Sequence, residues 1–117
     1  MVRPVGLPPL WPAAPSLLDG LRARRHLRRL ARLLRRRGWS TQARFGGAIP
    51  LLRVFDPRVP CIGDSVMVVR DEAGRWWFKS GTGELLAPCD EVGAACVRIA
   101  ELLVPWVVCA LGGRPPN

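Results

Sequence analysis

Apolar and polar positions change period twice along this chain. Over residues 17–37 the apolar positions Ala23, Leu27, Leu30, Ala31 and Leu34 recur at intervals of one, three or four. At 100° per residue they form one stripe of a helix. Arg22, Arg24, Arg25, Arg28, Arg29, Arg32, Arg35 and Arg36 lie on the opposite side, while Leu17 and Leu21 fall off the stripe. Ser16 with Asp19 three residues on resembles a capping box, and Gly38 supplies a C-terminal stop.

From Trp39 the period becomes two. Trp39, Thr41, Ala43 and Phe45 point one way, and Ser40, Gln42 and Arg44 the other, which predicts a half-buried strand. Gly46-Gly47 is a turn, residues 51–55 are a second strand, and residues 56–60 are a break. Residues 65–70 and 75–79 form a hairpin around Asp71-Glu72-Ala73-Gly74, and residues 84–87 a short last strand. The helical period then returns. Asp90 is the expected N-cap, Glu91 favours the first turn, and Val92, Cys96, Ile99 and Leu103 form the stripe. Pro105 predicts a stop near Val104.

The predicted fold is α+β: an N-terminal helix, an antiparallel meander of four or five strands, and a C-terminal helix. Residues 1–15, with five prolines, read as a disordered tail. Residues 16–104 form one domain, and residues 105–117 a packed stub with a loose tail. A chain of 117 residues that is 49% hydrophobic supports one core of this kind.

Charge sharpens the picture. The formal net charge is +9, and residues 1–37 hold ten arginines against one acid, Asp19. Residues 38–117 balance seven arginines and Lys79 against eight acids. The first helix is therefore a basic front on a neutral body, suited to nucleic acid, an anionic membrane or an acidic protein. The excess of arginine over lysine is also what a GC-rich coding sequence produces, so charge alone does not establish a partner.

Candidate chemistry is sparse. Cys61, Cys89, Cys96 and Cys109 contain no C-x-x-C pair, and the only histidine, His26, lies far away in the basic helix. Free thiols in a reducing cytoplasm are expected, without metal or cofactor. No nucleophile elbow or phosphate loop is present, so a non-catalytic protein is expected. The start lacks the continuous apolar stretch of a signal peptide. The apolar run 102–111 falls short of the ~20 residues of a membrane helix, so no integral span is expected.

Two surfaces are candidates for contact. One is the basic helix face, Arg22, Arg25, Arg28, Arg29, Arg32 and Arg36. The other is an outer sheet face. There Trp77 would lie beside Arg75 and Lys79, and Arg53 with its large apolar neighbours would suit a dimer or a single-stranded nucleic acid.

The set Arg37-Gly38-Trp39-Ser40-Thr41, Leu52-Arg53-Val54, Trp76-Trp77-Phe78, Leu86-Ala87-Pro88, Ala94-Ala95, Ile99 and Leu103 resembles a family of small, uncharacterised actinomycete proteins. The resemblance covers somewhat more than half the chain. It implies an accessory or regulatory partner protein and brings no catalytic residues. The order helix–strands–helix also looks like small secretion-chaperone-like domains, which dimerise and hold partner segments. The resulting expectation is a cytoplasmic, homodimeric protein-interaction module. The alternative is a nucleic-acid-binding accessory protein that uses the arginine helix.

Overall fold

Helix α1 spans Leu17–Arg36 in the computed structural model, which describes residues 17–113. The proline-rich tail and the Ser16 cap lie outside the described residues. The leucine stripe is the reason α1 docks: Ala23, Leu27, Leu30, Ala31 and Leu34 are all buried in one core. Its end is a Schellman motif. The Trp39 amide donates to the Leu34 carbonyl (3.1 Å), the Gly38 amide to the Arg35 carbonyl (3.2 Å), and Gly38 has φ +93°. Trp39 is thereby turned back against the core its own helix helps to form.

Five strands follow: β1 Ser40–Arg44, β2 Leu51–Phe55, β3 Gly63–Arg70, β4 Trp76–Ser80 and β5 Leu85–Pro88. They pair antiparallel in chain order, β1-β2-β3-β4-β5, as a meander. The register sets two faces. Val54 opposes Asp64, Leu52 opposes Val66, Val68 opposes Phe78, and Arg70 opposes Trp76; these residues face the helices. Arg53, Ser65, Met67, Lys79, Val69 and Trp77 point to the other side. A register shift at Phe78/Lys79 lets β5 follow β4.

Asp71 organises the β3–β4 turn. Its Oδ1 accepts the amides of Ala73 (2.9 Å) and Arg75 (2.8 Å), and its Oδ2 accepts the Trp77 indole N–H (3.0 Å). These donors hold the Asp71 carboxyl below its ordinary range, the Arg75 amide most of all.

The second helix corrects two expectations. α2 spans Val92–Ala110, with Pro105 inside it, instead of stopping near Val104. Proline removes one amide and crowds the carbonyl four residues back, which disfavours a helix without forbidding it. Packing decides the outcome here: Val107, beyond the proline, is buried. The stub expected from residue 105 is thus the last part of α2, closed by the Gly112 amide on the Cys109 carbonyl (3.1 Å). The N-cap is Glu91, not Asp90, and makes no side-chain cap bond. Asp90 and Glu91 instead meet Arg75 at 3.3 and 3.6 Å.

Both helices cover one sheet face, where Phe78 is fully buried among α1, α2 and sheet side chains. The α+β class and meander are as the sequence patterns predict. Proline within a helix costs up to about 3 kcal/mol relative to alanine, and Pro105 is exposed. Pro105→Ala is expected to raise unfolding stability by roughly 1–3 kcal/mol, measured by urea denaturation. No gain would show that the proline costs α2 nothing at this position.

Candidate interaction surfaces

The arginine face sits where the stripe places it. Arg22, Arg25, Arg28, Arg29, Arg32 and Arg36 are all exposed. Two neighbours are tied inward: Arg24 Nη2 donates to the Phe45 carbonyl (3.2 Å), and Arg35 Nη1 to Thr41 Oγ1 (3.3 Å). Arg24 is half-buried, so it belongs to the docking edge of α1 and not to the open face. Arg28 lies over the Phe45 ring at 5.4 Å, a cation–π contact that still leaves its charge in water.

Most of the acids are engaged elsewhere. Asp56 pairs with Arg58 (2.8 Å), Glu84 and Glu101 pair with Arg98, and Asp19 reaches Arg70 (3.5 Å). Asp64 binds Ser80 and the Gly81 amide, while Asp71 holds its turn. The outward arginines of α1 therefore have no carboxylate partner among the described residues.

Trp77, Lys79 and Arg53 share the outer sheet face, and Arg75 joins them from the turn. This face is more closed than its sequence suggests. Arg53 covers Phe55 at 5.5 Å, Arg75 covers Trp77 at 5.7 Å, and Val69 is fully buried. The long basic side chains lie along the apolar groups and keep their heads in water.

Exposed apolar surface lies instead on α2, which the sequence reading did not single out. Val97, Val104, Val108 and Leu111 are 44–51% exposed, and Trp106 is 57% exposed. Ala95, Cys96, Ile99, Leu103 and Val107 occupy the core-facing side of the same helix. α2 is thus apolar on more of its circumference than the core takes up, and the signal was the run of aliphatic residues on both sides of the wheel. By length and composition alone, Val92–Ala110 is long and apolar enough to cross a membrane.

Beside this stripe opens a groove of about 830 Å³. One wall is α2, with Val97, Ala100, Val104 and Val108. The other comes from the α1–β1 junction, with Arg37 and Trp39, and from the loop after β2, with Asp56, Pro57 and Arg58. Apolar walls with charged groups at the edge suit a partner's apolar side chains.

The remaining polar groups are built into the fold. His26 stacks near Trp76 (5.8 Å between rings), and the Arg70 guanidinium lies over the same indole at 4.9 Å. Burial lowers the His26 pKa, and Arg29, Arg25 and Arg22 lower it further. Burial pushes the Cys89 thiol up to about 12 and raises that of Cys96, so both are poor nucleophiles. Among the described residues, no three His, Cys, Asp or Glu side chains gather as a metal site requires.

No family model matches the chain, and neither a curated protein nor a solved structure matches it. The likeness to small actinomycete proteins thus rests on the residues quoted above.

Two measurements follow from these environments. Cys61 is exposed, whereas Cys89 and Cys96 are buried. A thiol reagent is expected to modify Cys61 in the native protein and to reach Cys89 and Cys96 only on unfolding. For His26, the folded pKa lies below the ordinary value of 6.5, so the unfolded chain takes up the proton first. Its contribution to stability is full above about pH 6.5 and falls as the pH drops through that value toward the folded pKa. The melting temperature should decline in that window, and His26→Gln should flatten the decline. Loss from Asp71, whose pKa is lowered from 3.8, comes only in more acidic solution.

Proposed function

We propose that this chain is a non-catalytic, accessory protein-interaction module that binds another protein through the groove beside α2. One observation carries the reading: Val97, Val104 and Val108 stand 44–51% exposed along one side of a helix that borders an open groove. Burying the exposed half of each such side chain is worth about 1 kcal/mol, a gain that a partner's apolar groups would realise. Contiguous apolar surface of this kind on a folded domain marks interaction sites. Cys89 and Cys96 are buried, His26 is half-buried beside Trp76, and Asp56, Asp64, Asp71, Glu84 and Glu101 are paired or hold turns, which supports the non-catalytic side of the proposal.

A second reading has its own observation. The outward arginines of α1 lack carboxylate partners among the described residues, so they are free to neutralise phosphates. Such contacts would give salt-sensitive affinity without sequence preference.

Affinity purification from the native cell, with and without nuclease, separates the two. The expected result is a stoichiometric protein that survives nuclease treatment and is lost with Val104→Asp. Circular dichroism should confirm that the variant is folded. Replacing Arg25, Arg28 and Arg32 by Glu should leave that protein in place. Retention of the partner by Val104→Asp would refute the groove. Material lost to nuclease and to the triple variant would favour the nucleic-acid reading.

A further inference from the structure

Resting on the reading of the groove as a protein site, we infer that its occupant is an α-helix of the partner, apolar along one side and acidic along one flank. The first ground is spacing. Val97, Ala100, Val104 and Val108 all line the groove and follow one another at three, four and four residues, the spacing that sets side chains along one side of a helix. Ala100 between two valines allows a close approach. At 1.5 Å per residue, the stretch from Val97 to Val108 offers a stripe, or seam, roughly 16 Å long, enough for about three turns of a partner helix.

The second ground is charge complementarity. The guanidinium of Arg37 lies against Gly93 at the head of the seam, 3.9 Å from where a Cβ on that glycine would stand. Arg29, Arg32 and Arg36 continue this wall around Val92, at a smaller cleft of about 260 Å³. None of these four arginines has a carboxylate partner among the described residues. Around the rest of the groove the charges are already matched, Arg58 by Asp56 and Glu101 by Arg98. The excess field is therefore positive along the α1 side of the groove only. A helix seated on the seam gains by carrying Asp or Glu on that flank, and one with Lys there is repelled.

The same accounting argues against a second copy as the occupant. α1 carries one acid, Asp19, which faces Arg70, and α2 carries one, Glu101, held by Arg98. Neither helix presents an acidic flank. Nucleic acid would satisfy the arginines but leave the valines in water.

The test is selection on the intact chain from a displayed library of helical peptides with a fixed leucine seam and randomised flanks. Enriched peptides are expected to carry acids on one flank. Their affinity should fall at least tenfold for Val104→Asp and for Arg37→Glu, and Arg37→Glu should improve binding of the matching lysine-flanked peptide. The controls are Val97→Asp, which should act like Val104→Asp, and Arg44→Glu on the far side of the sheet, which should change nothing. Enrichment without charge preference, no enrichment, or binders indifferent to Val104→Asp overturn the inference. So does a homodimer in sedimentation that Val104→Asp dissolves. If the cellular partner is still lost with Val104→Asp, any of the peptide failures leaves the groove as a protein site standing. If that partner is retained, the groove reading itself fails.

Discussion

The structure depends on two apolar helix stripes sharing one face of a five-stranded sheet. Phe78, Val68 and Leu52 from the strands meet Leu27, Leu30 and Leu34 from α1 and Ala95, Ile99 and Leu103 from α2 in a single core. Burial of this surface is the main favourable term available to so small a chain, and it has only one layer in which to act. Everything else adjusts to that restriction. α1 must turn its arginines outward because Leu27, Leu30 and Leu34 are committed inward. α2 must carry the rest of its apolar residues on a side the core does not reach.

The two sides of the sheet show different solutions to exposed apolar surface. On the outer face, Arg53 and Arg75 lie over Phe55 and Trp77, so the rings are covered by chains of the protein's own making. On α2, Val97, Val104 and Val108 remain 44–51% exposed. Arg98, the one basic residue of that helix, is drawn to Glu84 and Glu101. The contrast is why the groove beside α2, and not the sheet, is the proposed contact surface. Fixed cations beside uncovered aliphatic groups make the groove both apolar and positively biased, a combination that restricts what can bind there.

The buried and half-buried polar groups hold turns and helix–sheet contacts. Asp71 gathers three donors at a hairpin turn, and Ser80 and Asp64 anchor the following turn. His26, Trp76, Arg70 and Asp19 form one stack and ion pair where α1 crosses β3 and β4.

The sequence by itself determined the elements and their faces. The leucine stripe of α1, the glycine at its end, the alternation from Trp39 and the Asp71 turn are local signals, and local physics enforces them. It also located the arginine face, since a docked stripe leaves only one side for charge. Tertiary structure alone decided the end of α2. Pro105 is a local argument for stopping, but burial of Val107 outweighs it, and no pattern within the segment reveals that a core will be waiting there. Packing likewise decided that the outer sheet face is closed over by arginines and that the α2 valines border a groove. Which apolar residues a core leaves uncovered depends on where the neighbouring elements end, and that is a property of the assembled fold.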